Sequence, residues 1–372
     1  MKLETLSIHV GRGIDAVTGA VAPPIHLSTT FERDPNGEFS RGFVYARPDN
    51  PTRRELETCI AALEGGADCT AYSSGSAASL AVFSLLRPGD HVLAPIEAYH
   101  GTAKQLRDIL TPMDVRCEFI DMTNLDAVRR ALTDQTRLVW IETPSNPTLN
   151  ITDIAATAEL AHARGALVCA DNTFATPVWQ RPFEHGADIV MHSSTKYFGG
   201  HSDVMGGAVI TRERGEIAEK LRDYQATAGS TPSPFDCWLL RRSLTTLPCR
   251  VRAQTDTAGK LAEFLSKHSR VERVFYPGLE EHPSHAIARK QMSGFGAMLS
   301  FCVKGGREEA FAVAARLKLF TRATSLGGVE TLIEHRASIE GPHSVTPQNL
   351  LRVSVGLENA EDLIADLGQG LL

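Results

Sequence analysis

GALVCADNTFATPVWQRPFEHGADIVMHSSTK, residues 165–196, holds two apolar runs of strand length, LVCA (167–170) and IVMH (189–192). Each turns polar in a single step. The first ends in Asp171-Asn172-Thr173 and the second in Ser193-Ser194-Thr195-Lys196. A short, wholly apolar run bounded in this way reads as a strand buried on both faces. A third run, LVWI (138–141), behaves alike and ends in Glu142-Thr143-Pro144-Ser145-Asn146-Pro147. Working outward, Cys69–Tyr72, His91–Ala94, Val115–Ile120, Arg137–Ile141 and Ala208–Ile210 also read as strands. Helical patterns near 76–86, 101–110, 124–132 and 153–164 lie between them. This alternation predicts an α/β domain over residues 51–245 with a mostly parallel sheet. In such sheets ligands bind beyond the carboxyl ends of the strands, so the polar clusters should converge on one cleft.

The texture changes near residue 246. A helix at 253–268 leads to strand 271–276, helix 283–290, strand 297–303, helix 307–317, strand 351–355 and helix 360–367. This predicts a smaller α+β C-terminal domain over 246–372. Residues 1–50, rich in Gly, Pro, Thr and Arg, read as an arm carrying aromatic docking residues such as Phe31, Phe43 and Tyr45. The first helix of the α/β domain, 52–64, has Thr52 placed to cap it and Gly65-Gly66 to stop it.

Composition excludes several classes. The chain has 372 residues, a formal charge of −6 and 42% apolar residues. Its charges are interspersed, which gives no surface for nucleic acid or an anionic membrane. No apolar run approaches the roughly 18 residues of a membrane span. The opening MKLETLSIHVGRG lacks the apolar stretch of a secretory signal. Seven scattered cysteines, an odd number without close CxxC pairs, argue against a disulfide framework or a metal site. Cys169 and Cys302 sit in apolar runs and read as small buried hydrophobes. A cytoplasmic location is the default expectation.

Chemistry concentrates at the strand exits. Lys196, alone among the lysines, directly follows a buried strand, and its neighbours are hydroxyls and glycines. Its amine should have a lowered pKa, as suits a Schiff-base lysine. A pyridoxal cofactor also needs an acid against its ring nitrogen, and Asp171 at the neighbouring exit can supply it. Ser73-Ser74-Gly75-Ser76, between a strand and a helix, reads as an anion site, with Ser193 and Thr195 adding hydroxyl donors. Tyr99 is placed to stack on an aromatic ring, His100 beside it to exchange protons, and Arg352 to clamp a carboxylate. Each has a plainer reading: a snorkelling lysine, an Asx-turn aspartate, a capping serine, a rim tyrosine, a structural histidine and a surface arginine.

Seven stretches decide between these readings: APPIHLSTTF (22–31), YARPDNPTR (45–53), IETPSNP (141–147), ADNTFATP (170–177), HSSTKYFGGHSDVMGG (192–207), SLGGVETLIEH (325–335) and LRVSVGLE (351–358). In this order they resemble the Cys/Met-metabolism enzymes dependent on pyridoxal 5′-phosphate (PLP), which include cystathionine γ-synthases and γ-lyases. The resemblance implies a PLP-dependent aminotransferase-like (type I) fold. Lys196, Asp171 and Tyr99 match the catalytic positions: the cofactor-linked lysine, the pyridinium partner and the stacking tyrosine. Gly75, Ser76, Ser193 and Thr195 match the phosphate cup. Tyr45 and Arg47 match a pair reaching a neighbouring subunit's phosphate, which implies a homo-oligomer, usually a dimer of dimers. Asn146, Ser325 and Arg352 match the substrate carboxylate grip, and Glu330 an acid that meets a distal ammonium.

The implied activity is γ-replacement on an acylated homoserine with cysteine, as in cystathionine γ-synthase. The alternatives are cystathionine γ-lyase, then methionine γ-lyase or a homoserine-ester sulfhydrylase, transamination, and a PLP-binding protein without turnover. Some positions depart from the family pattern. Tyr99-His100-Gly101 lacks the cysteine common in methionine γ-lyases, Ser76 replaces a common methionine, and HRASIEGPHS (335–344) lacks a Pro-Ala-Ser-Met-Thr-His run.

Overall fold

A computed structural model describes residues 1–341 and 344–372. Twelve strands are described, in two sheets. The first sheet is built from β1 (Asp68–Tyr72), β2 (His91–Pro95), β3 (Arg116–Ile120), β4 (Thr136–Glu142), β5 (Leu167–Asp171), β6 (Ile189–His192) and β7 (Gly207–Thr211). Their order is β1-β7-β6-β5-β4-β2-β3. Neighbours from β6 through β3 pair parallel, and β7 runs antiparallel to both β1 and β6. The sheet is therefore mostly parallel, as the alternating pattern predicts. Apart from the edge strand β3, the strands are buried along both faces, Leu93, Val139, Ile141, Val168 and Ala170 under one helical layer and Val92, Ala94, Trp140, Cys169 and Ile189 under the other.

The second sheet contains β8 (Val271–Phe275), β9 (Met298–Val303), β10 (Thr321–Arg322), β11 (Leu332–Glu334) and β12 (Leu350–Ser354), in the order β10-β11-β12-β9-β8. The helix Leu247–Ser266 joins the two regions. Its buried face, including Val251, Ala258, Leu261 and Leu265, belongs to one apolar cluster with Leu56, Ile60, Phe301 and Leu351. Cys169 and Cys302 are buried, as their surroundings predict. Among the described residues no helix is long and apolar enough to cross a membrane.

Local chemistry corrects two expectations. Asn50, not Thr52, caps the helix Pro51–Glu64. Its Oδ1 accepts from the amides of Thr52 (2.9 Å) and Arg53 (3.2 Å), while the Thr52 hydroxyl accepts from the His26 amide at 3.0 Å. Asparagine is the better cap, and Pro51 fits the first helical turn without losing a needed donor. Gly65, at φ 77°, ends the helix as expected. The second correction is the pair of helices Glu216–Ala228 and Pro234–Leu244, which the apolar pattern does not announce.

Candidate active site

The parallel strands end level. Glu142, the last residue of β4, pairs in register with Asp171, the last of β5, and Asp171 with Met191 of β6. Their exits, the turn at Ser74–Ser76 and the C-terminal segments at 324–326, 336–339 and 352 surround a cavity of ≈ 540 Å³. Of the residues singled out in the sequence, Gly75, Ser76, Tyr99, Asp171, Ser193, Thr195 and Lys196 line it. So do Asn146, Ser325 and Arg352, with His100 beside Tyr99.

Lys196 reaches across to the second sheet's region, where its Nζ donates to Ser325 Oγ at 2.8 Å. It makes no ion pair among the described residues. Burial first, then the nearby Arg352 cation, lowers its pKa to about 8. Asp171 lines the cavity half-buried, and desolvation pushes its carboxyl above the ordinary range, against the pull of its bond from the Thr173 amide (2.9 Å) and of nearby His192. Glu142 beside it is pushed to about 8 by burial and by the Asp171 charge. Glu142 takes the Trp140 indole N–H at 3.0 Å and the Tyr99 amide at 2.7 Å, so it fixes the loop that carries the tyrosine. Behind the exits, Glu64 accepts from Asn172 Nδ2 (2.9 Å) and pairs with His192, tying the ends of β5 and β6 together.

The turn beside them is built for close approach. The Ser74 hydroxyl caps the helix Gly75–Phe83 by accepting from Ala77 N at 3.0 Å. The amides of Gly75 and Ser76 have no partner among the described residues, so they remain available at the helix start. A Cβ on Gly75 would fall 2.7 Å from Ser193 Oγ, which requires glycine here. The Thr195 hydroxyl is held by the Gly206 backbone, donating to its carbonyl (3.1 Å) and accepting from its amide (3.0 Å).

These features fit a phosphorylated pyridine aldehyde. The free amides at a helix start suit its phosphate. Asp171, half-buried and without an ion-pair partner among the described residues, suits a protonated ring nitrogen, and the desolvated Lys196 amine suits its aldehyde.

At the other end of the cavity, Arg352 on β12 is 3% exposed. Its Nη1 donates to Asn146 Oδ1 at 3.0 Å, and its Nη2 to the Ser325 carbonyl and to Glu334 Oε2, both at 2.8 Å. Ser325 thus serves lysine and arginine at once, from a left-handed backbone (φ 85°) that a non-glycine residue adopts only under local constraint.

Three residues named in the sequence lie outside the cavity wall. Tyr45 is 43% exposed on the arm, where Thr30 bridges to it. Arg47 donates to the Ala226 carbonyl. Glu330 accepts from the Ser202 hydroxyl. Conversely, Glu142 and Arg336 line the cavity but were not marked as site residues. Glu142 was visible as a strand-exit acid. Arg336 appeared only as part of the divergent stretch 335–344, of which residues 342 and 343 lie outside the described residues.

The model of the Cys/Met metabolism PLP-dependent enzyme family matches residues 4–372. The cystathionine γ-synthase of Mycobacterium tuberculosis is 48% identical over 99% of this chain and 96% of its own length. The cystathionine γ-lyase of Dictyostelium discoideum is 43% identical over 100% and 97%. The crystal structure of metB from Corynebacterium glutamicum superposes with a TM-score of 0.97 at 43% identity, covering 100% of this chain and 98% of that one.

Proposed function

Because the chain belongs to the Cys/Met metabolism PLP-dependent enzymes, we propose that its cavity holds PLP between Lys196 and Asp171 and catalyses γ-replacement. An acylated homoserine and cysteine would give cystathionine and the free acid. The observation that carries this reading is one cavity lined by a desolvated lysine, an aspartate at a strand end and the guanidinium of Arg352.

When bound, the cofactor supplies an electron sink that acidifies hydrogens on the attached amino acid. The remaining work falls to the chain. The amides of Gly75 and Ser76, with the Ser193 hydroxyl and a Thr195 hydroxyl turned away from the Gly206 carbonyl, would hold the phosphate. Asp171 keeps the ring nitrogen protonated. Arg352 and Asn146 orient the α-carboxylate, which places the Cα hydrogen within reach of Lys196 Nζ. That amine would take the α proton, release it, and, neutral again, take a β proton, and after the sulfur has bonded it would return one proton to Cβ and one to Cα. The carboxylate leaving group departs from Cγ, and the cysteine sulfur bonds to Cγ in its place. Tyr99, held by Glu142 through its amide, would cover the ring.

The γ-lyase likeness supports a second outcome on the same residues, in which water rather than a thiol completes the reaction. Purified protein incubated with acylhomoserine and cysteine is expected to form cystathionine. Release of oxobutyrate from cystathionine, without that synthesis, would assign the lyase reaction instead.

We also assign Tyr45 and Arg47 to the phosphate of a neighbouring copy, in a dimer doubled to a tetramer. Their exposure outside their own cavity supports this, as does the Arg53 guanidinium, which pins the backbone carbonyls of Ala46 (2.8 Å) and Arg47 (3.0 Å). A holoenzyme that sediments as a monomer would remove the assignment.

The lysine environment sets a pH dependence. Only the neutral amine captures the aldehyde, and the Lys196 pKa lies at about 8. Cofactor uptake by stripped protein, followed by the return of visible absorbance, should therefore accelerate with pH through about 8 and level off above it. An ordinary lysine would keep gaining toward about pH 10.4.

A further inference from the structure

Glu334 on β11 lies directly opposite Arg352 on β12. One of its oxygens, Oε2, accepts from two guanidinium groups: Arg352 Nη2 at 2.8 Å and Arg336 Nη1 at 3.0 Å. The group is buried at the cavity wall, with side-chain exposures of 8% for Glu334, 4% for Arg336 and 3% for Arg352. Beyond it, Arg336 Nε donates to Glu340 Oε1 at 3.1 Å, and the other oxygen of Glu340 accepts from the hydroxyls of Ser344 (2.7 Å) and Thr346 (2.6 Å).

This arrangement poses a problem for the carboxylate grip. A buried glutamate bonded to Arg352 competes with an incoming carboxylate for the same cation and repels it. Charges at this spacing and burial interact strongly. Arg336 offsets the competitor by placing a second cation on the same oxygen.

We propose that Arg336 is a positioning residue for the α-carboxylate grip: by neutralising Glu334 and holding it in place, it leaves the Arg352 guanidinium oriented and electropositive toward substrate. Arg336 acts through Glu334 and touches no reacting atom. The same chain of contacts ties Glu340, Ser344 and Thr346 to substrate affinity. The proposal rests on Arg352 gripping the α-carboxylate, as stated above.

The test uses PLP-loaded enzyme. Binding of glycine is read from the change in visible absorbance, and KM and kcat are measured with acylhomoserine and cysteine. In Arg336→Gln, Glu334 keeps an uncompensated charge beside the grip. The dissociation constant for glycine and the KM should both rise, on the order of 10- to 50-fold, while kcat changes by about twofold or less. Arg336→Lys should recover most of the affinity. The double variant Glu334→Gln/Arg336→Gln, which removes the competitor as well, should recover it too.

Unchanged affinity in Arg336→Gln would overturn the proposal, as would continued weakness in the double variant. A loss confined to substrates with a carboxylate on the γ-substituent would also overturn it, since that pattern means direct contact. Should Arg336→Gln lose its bound chromophore, Glu340→Gln carries the test. It loosens the outer anchor of Arg336 and should raise the same constants severalfold, and no rise would overturn the proposal. Wild-type enzyme that binds no α-amino acid would defeat the substrate reading itself, a result distinct from any of these.

Discussion

Replacing Lys196 by alanine is expected to lower turnover by at least about 10³- to 10⁴-fold, the loss of both the covalent anchor and the general base. The bound chromophore should also lose the absorbance of its lysine-linked form. Fold integrity should survive. The Lys196 ammonium makes one hydrogen bond, to Ser325 Oγ at 2.8 Å, and burial already disfavours its charge. Removing it relieves a desolvated cation and opens no apolar core, so the thermal midpoint of the cofactor-free protein should stay level or rise. Catalysis retained near the wild-type rate would show that another group moves the protons. A collapse of the melting transition would show that the lysine is structural. Residual turnover absent in both proteins, with every amino acid offered, would instead support a binding protein without catalysis.

Asp171→Asn is the second large effect. An asparagine cannot keep the ring nitrogen protonated, so the electron sink weakens, and a loss on the order of 10²- to 10³-fold in kcat is expected. The side chain is nearly isosteric and can still accept from the Thr173 amide, so cofactor content should change far less than rate. The same burial fixes a stability signature in cofactor-free protein. Asp171 and Glu142 both have raised folded-state pKa values, Glu142 to about 8. A raised carboxyl binds more protons folded than unfolded. Its favourable contribution is full below the ordinary carboxylate range and is lost as pH rises through the folded value. Wild-type apoprotein should therefore lose stability relative to Asp171→Asn as pH rises from about 4.5 to 8. Denaturant midpoints of both proteins across that range check the sign, and a wild-type midpoint that climbs relative to the variant's toward pH 8 would contradict it.

Much of the large sheet was legible because its strands are buried on both faces and written as unbroken apolar runs. β5 spans Leu167–Asp171 where the sequence suggests 167–170, and β6 coincides with Ile189–His192. The site was legible for the same reason, since each run gives way abruptly to the polar residues proposed to do the chemistry, Asp171 at once and Lys196 four residues on. What was not legible depends on partners far along the chain. The helix Glu216–Ala228 buries Gln225, whose amide donates to Glu57 (2.9 Å) and to the Ala71 carbonyl (2.6 Å). A buried glutamine satisfied that way reads as surface in any apolar pattern. Arg241 in the helix Pro234–Leu244 misleads similarly: it is 3% exposed and feeds the carbonyls of Ser7, Ile8, Val10 and Gly11.

Arg336 is the functional counterpart. Its meaning comes from Glu334 standing across β11–β12 from Arg352, a register no local spacing reveals. Strands β10 and β11, of two and three residues, are too short to carry a period at all. Glu330 illustrates the reverse case. The family resemblance points it at a substrate ammonium, while in the structure its carboxylate accepts from Ser202 and lies outside the cavity wall.

The central claim is that one lysine, facing Asp171 across one cavity, carries the cofactor. Holoenzyme reduced with borohydride and digested should yield a single cofactor-bearing peptide, the one containing Lys196, and reduction of Lys196→Ala should yield none. A cofactor adduct on any other lysine, or none on the wild-type enzyme, would contradict the account.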